Sequence, residues 1–485
     1  MTINAAALLL AAGAPRHKAL VCGADSLSYE ALRLAVARAA GAWRELGVRQ
    51  GEPVVIRLAD GIDWVVAYLG ALWAGAVAVA VNPRVPPDEW QRMSKEAGWR
   101  FVLAESRGGA LAGAGDAVLT RAEWKCLALT ASAMEPVPMQ LDAPACWSHS
   151  SGTSGAAKAV VHAHRFALHV QRVAAELLGV RPEDRLFASS KLFFVYPLAN
   201  SLFAGLKLGA TVVLDPAWPT EADVAATVAA QRPSVFFSVP SLYRRLLQQG
   251  LAPQIAAAGV RLAVSAGEAL PRQVRDDWQA QTGITLVDGY GASETMCLAL
   301  VDRGDGLQPA PGVALAWAER HDDGAPGRVL IDSPTQALGY WQRPQAQAEH
   351  FRAGGFCPGD LFERHDGGPW RFAGREDSLV KVSGRWVDLS SLEERFVQTG
   401  ALQEAAAVAL HDDGIAEVAL FYVPRDDALD AAEGALADLI RTLPAHQRPR
   451  WLHRVTALPR GPTGKLLRRQ LQQLHAMRPD EARVA

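Results

Sequence analysis

The 485-residue sequence has few cysteines and lacks long apolar runs. Its five cysteines are scattered and never form a CxxC pair, which argues against a zinc site or a disulfide framework and favours a reducing cytoplasm. No apolar run reaches the roughly 18 residues that a membrane-spanning helix needs. Ala5–Ala14 is apolar, but no basic residue precedes it and Arg16 and Lys18 follow it. We therefore predict an amphipathic N-terminal helix, not a signal peptide, in a soluble cytoplasmic protein without a membrane span.

An excess of charge of either sign is also missing. Lys and Arg together number 49 and Asp and Glu 51, so the formal net charge is -2. The sequence therefore indicates no nucleic-acid partner and no acidic tail. A chain of this length exceeds what one simple core organises, so we expect two or more domains.

Apolar strand-like runs alternate with helical patterns over the first three quarters of the chain, which predicts an α/β fold. Short buried strands are expected at Ser234–Ser238, Val260–Ser265 and Ile284–Val287, each followed by a turn. Beyond Gly374 the pattern changes to strands and helices typical of a small α+β domain. Ligands of open α/β sheets usually bind where strands end, so these turns are candidate site segments.

The most informative stretch is the Ser- and Gly-rich segment Ser148–Lys158. Its glycines let backbone N–H groups turn toward one point, its hydroxyls add donors and its lysine adds a mobile positive charge. No Ser or Thr follows the lysine, so the segment is not a Walker loop. A Ser/Gly-rich surface loop without function is the alternative. The phosphate-binding candidates are Ser150, Ser151, Gly152, Thr153, Ser154, Gly155 and Lys158.

This stretch resembles the phosphate loop of the adenylate-forming superfamily, which includes acyl-CoA synthetases, luciferases and peptide-synthetase adenylation domains. Ala157 and Ala159 depart from the usual proline and glycine. Further motifs follow in the family's order: SAGEALP at 265–271, DGYGASE at 288–294, PGDL at 358–361, GREDSLVK at 374–381 and PRGPTGK at 459–465. The resemblance implies a large multi-sheet α/β N-terminal domain at 1–376 and a smaller, mobile α+β C-terminal domain at 377–485.

The resemblance also implies that ATP, Mg²⁺ and coenzyme A are used. Glu294 would be a catalytic residue and the Mg²⁺ ligand, and Lys465 the catalytic lysine of adenylate formation. Asp377 would be the hinge between the domains, and Lys381, Ser383 and Gly384 would form the thioester channel. Besides the phosphate loop, the implied nucleotide-binding residues are Gly267, Glu268, Ala269, Asp288, Gly289, Tyr290, Ser293, Asp360 and Arg375.

The segment Lys191–Asn200 bears on the acid substrate. Amino-acid-activating relatives place an aspartate at the position of Phe194, so a free α-amino acid is disfavoured. The segment is most similar to benzoate-CoA ligases and related aryl-CoA ligases. An apolar slot for the acid would be formed by Phe193, Phe194, Tyr196, Ala266 and Gly289. The aliphatic residues after Glu294 leave a medium-chain or aryl-alkanoic acid open.

Three functions remain open at this point. The first is an acid–CoA ligase that joins a small carboxylic acid to coenzyme A at the expense of ATP, with a possible homodimer as its assembly. The second is a stand-alone adenylating enzyme that loads a carrier protein. The third is an inactive paralogue that binds nucleotide without turnover.

Overall fold

A computed structural model describes residues 1–107, 117–151, 157–320, 326–365, 367–376, 378–382, 385–412, 415–425, 431–460 and 466–477. Strands and helices are numbered along the chain. The strands of the largest sheet are mostly short, fully buried apolar runs, as expected where helices cover both faces of parallel strands. In spatial order this nine-stranded sheet contains β17 (Gln308–Pro309), β16 (Leu300–Asp302), β15 (Leu286–Tyr290), β14 (Leu262–Ala266), β13 (Val235–Ser238), β11 (Arg185–Ala188), β12 (Thr211–Leu214), β2 (Lys18–Cys22) and β3 (Asp25–Ser28).

A second sheet has seven strands and holds the Ser- and Gly-rich segment at the end of an antiparallel pair. Its spatial order is β20 (Gly339–Tyr340), β10 (Ala157–Ala163), β9 (Pro144–Ser151), β5 (Val77–Ala80), β4 (Pro53–Arg57), β6 (Phe101–Ala104) and β7 (Ala117–Thr120). A third sheet has six strands, namely β21 (Phe351–Arg352), β22 (Gly355–Phe356), β19 (Gly327–Asp332), β23 (Asp360–Glu363) and β24 (Arg371–Arg375), with β18 (Ala314–Glu319) paired to β19.

The remaining strands form small sheets. β1 (Thr2–Ile3) pairs with β8 (Met139–Gln140), and β25 (Leu379–Val382) forms a hairpin with β26 (Arg385–Asp388). The C-terminal part contains a three-stranded sheet of β27 (Leu402–Asp412), β28 (Ile415–Pro424) and β29 (Trp451–Arg454).

The α-helices cover these sheets, and several begin at residues that favour a helix start. Thr120 and Glu123 form a reciprocal capping box at one of them, which satisfies backbone N–H groups of its first turn. The helices are α1 (Ala5–Leu10), α2 (Tyr29–Glu45), α3 (Ile62–Trp73), α4 (Pro87–Ala97), α5 (Arg121–Thr130), α6 (Val195–Pro197), α7 (Ala204–Leu208), α8 (Glu221–Gln231), α9 (Pro240–Gln248), α10 (Ala252–Ala257), α11 (Arg272–Thr282), α12 (Pro344–His350), α13 (Leu389–Val397), α14 (Ala432–Thr442) and α15 (Arg468–Met477).

The hydrophobic core has separate clusters in the long N-terminal part and in the shorter C-terminal part of the chain. The largest cluster joins α1, α2 and α3 to the facing sides of the nine- and seven-stranded sheets. A second cluster lies on the other face of the nine-stranded sheet, under α8 to α11. The C-terminal clusters draw their buried residues from Val382 to Leu471. The α/β class is thereby confirmed, whereas the domain boundary between residues 376 and 377 stays a prediction.

One helix prediction is wrong. The apolar spacing from Phe166 to Leu177 predicts a single amphipathic helix, but the chain forms a 3₁₀ turn at His164–Leu168 and a π-helical turn at Val173–Leu177. Phe166, Val170 and Val173 are all buried in the largest core cluster. Packing against that core overrides the regular helical hydrogen-bond pattern, as tertiary contacts often do.

The predicted N-terminal helix is present as α1, although it ends at Leu10. Asn4 caps it by accepting a hydrogen bond from the Ala7 N–H. In the described part of the chain, no helix combines the length and the apolar character that crossing a membrane requires.

Candidate functional site

The site begins at the carboxyl ends of β14 and β15, which are adjacent and parallel. Their register pairs Ser265 with Asp288 and Ala266 with Gly289. The chain leaves β14 at Gly267, whose φ of 91° lies in the left-handed region that glycine adopts without a steric penalty. Ala266 and Gly289, which are 23 residues apart in sequence, therefore meet at one edge of the sheet, as parallel pairing requires.

The side chain of Glu268, in this turn, binds the first turn of helix α9. Its carboxylate accepts hydrogen bonds from the Ser241 backbone N–H at 3.1 Å and the Ser241 hydroxyl at 3.2 Å. Ser241 lies in the first turn of α9, where unpaired N–H groups and the helix dipole favour an anion. The Glu268 side chain thus anchors the turn at 267–269 against α9.

Tyr290, Asp360 and Arg375 come together from two different sheets. The Tyr290 hydroxyl donates a hydrogen bond to Asp360 Oδ2 at 2.6 Å, and Arg375 Nε lies 4.0 Å from Asp360 Oδ1. Asp360 and Arg375 are register partners in the antiparallel pair β23–β24. The Tyr290 ring meets Phe362 edge-on at 5.0 Å between ring centroids. The structure therefore gathers one carboxylate, one guanidinium and one phenol beside an aromatic cluster.

The predicted phosphate loop connects β9 to β10. Register pairs Ser150 with Lys158 across this hairpin. Residues 152–155 and the Ser151 side chain lie outside the described part of the structure, so the predictions for Gly152, Thr153, Ser154 and Gly155 concern residues without a described geometry. At the end of the hairpin next to this loop, Lys158 Nζ lies 5.1 Å from the centroid of the Tyr340 ring. This distance is in the range of a cation–π contact.

Tyr340 also contacts the carboxylate expected to hold a metal. Its hydroxyl donates a hydrogen bond to Glu294 Oε1 at 2.7 Å. Glu294 is only 6% exposed. The sequence analysis missed Tyr340, because it stands outside the recognised motifs and no local pattern places it beside Glu294 or Lys158.

The described nucleotide-binding candidates all line one cleft, which runs between the strand ends and the C-terminal part of the chain. They come from the loop end of the β9–β10 hairpin, the carboxyl ends of β14 and β15, the turn that contains Glu294 and the third sheet. These residues are Ser150, Lys158, Gly267, Glu268, Ala269, Asp288, Gly289, Tyr290, Ser293, Glu294, Asp360 and Arg375.

The candidate acid-binding residues divide into two groups. Phe194 and Tyr196 line the cleft, together with Ala266 and Gly289. Phe193 is 8% exposed and packs against Phe194 at 4.3 Å and Trp218 at 6.1 Å between centroids. Phe193 therefore packs behind Phe194, and the ring of Phe194 faces the cleft.

The polar atoms of this wall are directed into the protein. The Tyr196 hydroxyl donates to the Val264 carbonyl oxygen at 2.9 Å. The Asn200 amide donates to the Tyr196 carbonyl oxygen at 2.9 Å and accepts from the Leu298 N–H at 3.4 Å. The recorded hydrogen bonds of the Tyr196 hydroxyl and the Asn200 amide are thus made within the protein, while Phe194 and Ala266 present apolar atoms to the cleft.

Gly289 shapes the floor of this slot. A Cβ atom at Gly289 would lie 2.6 Å from Leu298 Cδ1 and 2.9 Å from its Cδ2, well inside contact distance. The Leu298 side chain therefore occupies the room that any larger residue at 289 would need. Leu298 and Ala266 both line the cleft beside it.

Two buried ionisable residues, Asp60 and Lys191, lie next to this wall, and the sequence did not reveal the role of Asp60. Asp60 accepts the Leu192 N–H at 3.0 Å, while Lys191 Nζ donates to the Asp215 carbonyl oxygen at 2.7 Å. Burial raises the pKa of Asp60 to about 7, opposed by the Lys191 charge. Burial lowers the pKa of Lys191. The Asp60 carboxylate thus holds the Leu192 backbone, which leads directly into Phe193 and Phe194.

The C-terminal part closes one side of the cleft. Arg460 and Leu466 form an antiparallel bridge and both line the cleft. Lys465, on the segment between them, lies outside the described residues, as do Asp377, Ser383 and Gly384. Lys381 is described, and its Nζ lies 5.7 Å from the ring centroid of Trp386; it is not among the residues that line the cleft.

Ser378 links the third sheet to the C-terminal part of the chain through its hydroxyl and its backbone. Its hydroxyl accepts the Arg375 N–H and donates to the Arg375 carbonyl oxygen, both at 3.0 Å. Its carbonyl oxygen accepts the Leu389 N–H at 3.0 Å. Leu389 begins α13 in the C-terminal core.

Asp288, near the carboxyl end of β15, has a carboxyl group whose pKa is shifted by its surroundings. Burial raises its pKa to about 7, and nearby Asp302 adds to the rise while Arg275 opposes it. A carboxyl group whose pKa is raised by folding favours the folded state fully only below its unfolded pKa, near 3.8. That contribution is lost as the pH rises through about 7, when the buried group ionises.

We therefore expect Asp288→Asn, which stays neutral, to gain stability relative to the parent protein as the pH rises from 5 to 8. Urea unfolding midpoints at several pH values measure this difference. Asp25→Asn, at an exposed position, corrects for the loss of one negative charge. A difference between Asp288→Asn and the parent that does not vary with pH would contradict the assignment.

Comparison with known proteins places this geometry in a family. The sequence profile of the AMP-binding enzymes matches residues 10–341. A 3-hydroxybenzoate–CoA/4-hydroxybenzoate–CoA ligase of Thauera aromatica is 34% identical over 96% of this chain and 95% of its own length. A benzoate–CoA ligase of the same organism is 31% identical over 96% of this chain and 94% of its own.

Solved structures agree. A benzoate CoA ligase from Burkholderia xenovorans LB400 has a TM-score of 0.85 at 29% identity, covering 97% of this chain and all (100%) of that one. The anthranilate CoA ligase AuaEII, solved with anthranoyl-AMP, has a TM-score of 0.86 at 26% identity, covering 98% of this chain and 97% of that one. The resemblance to adenylate-forming enzymes, and among them to aryl-CoA ligases, is confirmed. The chain belongs to the family of AMP-binding enzymes.

Proposed function

We propose that the protein is an ATP-dependent acid–CoA ligase that acts on an aryl carboxylic acid, with benzoate as the type of substrate. The observation that carries this proposal is the meeting of two surfaces at the ends of β14 and β15. The Tyr290–Asp360–Arg375 group suits a nucleotide, and the apolar slot of Phe194, Tyr196, Ala266 and Gly289 suits a flat ring. The names of the relatives support the same chemistry.

The reaction has two steps. In the first, a carboxylate oxygen of the acid attacks the α-phosphorus of ATP, a new O–P bond forms and pyrophosphate leaves. In the second, the sulfur of coenzyme A attacks the acyl carbon, AMP leaves and the thiol proton passes to solvent. Both steps bring negative groups together, so positioned positive charge and hydrogen-bond donors lower their barriers.

In this proposal each part of the cleft has one task. The β9–β10 hairpin, with Lys158, binds the phosphates. The turn at 267–269 and the Tyr290 ring border the adenine. Asp360, a carboxylate with two acceptor oxygens, takes the ribose hydroxyls, and Arg375 neutralises its charge.

Magnesium fits the residues present. Among the described residues, no group of three or more potential ligands surrounds a point. Mg²⁺ in nucleotide enzymes is commonly bound by one or two carboxylates together with phosphate oxygens and water. Glu294 is such a single carboxylate, and the ion, when bound, would neutralise phosphate charge.

The C-terminal part supplies the second half of the proposal. Lys465 carries positive charge to the carboxylate and α-phosphate during the first step, from a loop whose flanking residues Arg460 and Leu466 line the cleft. Rotation about Asp377, between domains at 1–376 and 377–485, then brings Lys381, Ser383 and Gly384 to the cleft for the thioester step. Lys381 is not among the residues that line the cleft in the present arrangement, which suits the first step.

A pyrophosphate-exchange assay over a panel of acids tests the substrate class. We expect benzoate to support exchange best. Hydroxybenzoates should have a kcat/KM lower by about 10-fold or more, because the Tyr196 hydroxyl and the Asn200 amide beside the ring site are already engaged within the protein. Octanoate and proline serve as aliphatic and amino-acid comparisons. Exchange that does not lead to CoA-dependent AMP release would instead favour loading of a carrier protein, and silence with every acid would favour an inactive paralogue.

Gly289→Ala tests the slot itself. The added methyl group must push Leu298 toward the ring site, so the KM for benzoate should rise by about 10-fold or more while the KM for ATP changes little. Gly434→Ala makes the same chemical change at an exposed position of α14 with nothing within 4 Å, and should leave both constants unchanged. Equal losses for acid and ATP would place Gly289 outside the acid slot.

Lys465→Ala tests the division of labour between the two steps. We expect the rate of adenylate formation to fall by about 100-fold or more, because a charge aimed at the reacting groups is lost. Thioester formation from preformed benzoyl-adenylate should fall far less. Single-turnover measurements of each step give the comparison, with Lys95→Ala on the exposed face of α4 as the matched control. Equal losses in both steps would remove Lys465 from its assigned role.

A further inference from the structure

Glu294 is held at both ends by one stretch of chain. Its backbone carbonyl oxygen accepts the Ala337 N–H at 2.8 Å, and its carboxylate Oε1 accepts the Tyr340 hydroxyl at 2.7 Å. The next residue is held as well, because the Thr335 hydroxyl donates to the Thr295 carbonyl oxygen at 2.7 Å. The segment from Thr335 to Tyr340 therefore fixes the loop that carries Glu294.

Tyr340 itself has little freedom. It lies in β20, opposite Val160 of β10, and its backbone N–H donates to Gln347 Oε1 at 2.8 Å. Its ring meets Phe351 edge-on at 5.2 Å and His350 edge-on at 6.0 Å between centroids. A phenol fixed in this way can define the position of the group that it binds.

The phenol can act only as a donor to this carboxylate. An ionised carboxylate has only acceptor oxygens, so the hydrogen bond of 2.7 Å must be donated by the phenol. The hydroxyl hydrogen thus stays in place and is directed at Oε1. Among the described residues, Tyr340 is the only one that donates a hydrogen bond to the Glu294 carboxylate, so Oε2 remains available to another partner.

The ring of Tyr340 has a second neighbour, Lys158. The ammonium group lies 5.1 Å from the ring centroid, and within the described part of the chain Lys158 forms no ion pair. A direct Lys158–Glu294 pair would cancel both charges and occupy the carboxylate. The aromatic ring instead offers the ammonium a partner that carries no net charge.

We propose that Tyr340 is a positioning residue that orients Glu294 for the metal–phosphate group through its hydroxyl and keeps Lys158 apart from Glu294 through its ring. This inference rests on the proposed function, in which Glu294 holds Mg²⁺ and Lys158 binds phosphate. Hydrogen-bonding partners of metal ligands commonly fix ligand orientation, and their loss weakens metal binding or activity by about 10- to 100-fold.

Tyr340→Phe separates the two tasks, because it removes the hydroxyl and keeps the ring. The readout is binding of Mn²⁺ to the enzyme in the presence of a non-hydrolysable ATP analogue, measured by electron paramagnetic resonance. We expect Mn²⁺ binding to weaken by about 10-fold or more. Affinity for the metal-free analogue should stay unchanged, because the ring still holds Lys158. Tyr340→Leu, which removes the ring as well, should weaken both.

Tyr29→Phe is the matched control. Tyr29 is fully buried, and its hydroxyl donates to the Ala210 carbonyl oxygen at 2.7 Å, remote from Glu294. This variant loses a buried hydroxyl of the same kind and should keep the parent protein's Mn²⁺ affinity. Urea unfolding midpoints of both variants show whether they remain folded. Tyr340→His, which keeps a ring and an N–H donor, provides a second test and should bind Mn²⁺ more tightly than Tyr340→Phe.

The decisive comparison uses Glu294→Gln. If Tyr340 acts through Glu294, then Tyr340→Phe should cause no further loss of Mn²⁺ binding in the Glu294→Gln background. Unchanged Mn²⁺ binding in Tyr340→Phe, or an equal loss in both backgrounds, would overturn the inference. Failure of the proposed function is distinguishable: the parent protein would then bind Mn²⁺ with the analogue normally while no acid supports pyrophosphate exchange.

Discussion

The parallel pairing of β14 with β15 brings the parts of the cleft together. Because Ala266 pairs with Gly289, the turn after β14 and the end of β15 lie side by side at one edge of the nine-stranded sheet. Tyr290, one residue further, reaches the third sheet by its hydrogen bond to Asp360. Ala266 and Gly289 also form the floor of the apolar slot. A shift of register by one residue would turn every one of these side chains to the opposite face.

Much of this arrangement can be predicted from the sequence, because its residues stand in ordered motifs. Tyr290, Asp360 and Arg375 each belong to such a motif, and the structure brings them within contact of one another. The α/β class follows from alternating apolar runs and helical patterns. The strands at Val235–Ser238 and Leu262–Ala266 lie within two residues of their predicted bounds. In these cases local patterns carry the information.

The rest depends on contacts between distant parts of the chain. Tyr340 contacts Glu294 across 46 residues, and Asp60 contacts Leu192 across 132. Neither contact leaves a local pattern, so no spacing rule could find Tyr340 or Asp60. Phe193 and Phe194 are identical in kind, and only the folded structure distinguishes Phe193, which is buried in the largest core cluster, from Phe194, which lines the cleft. The failed helix from Phe166 to Leu177 has the same cause, because core packing decided its shape.

The backbone contacts of Ser378 have a consequence for communication along the chain. Asp360 pairs with Arg375 across β23 and β24, Ser378 closes a tight loop onto Arg375, and its carbonyl oxygen receives the first N–H of α13. A series of side-chain and backbone contacts through Arg375 and Ser378 thus leads from the carboxylate assigned to the ribose to the first helix of the C-terminal core. Under the proposed function, a ribose that displaces Asp360 on binding would also displace the start of the C-terminal domain. Nucleotide binding and the orientation of the C-terminal domain would then be coupled through these contacts.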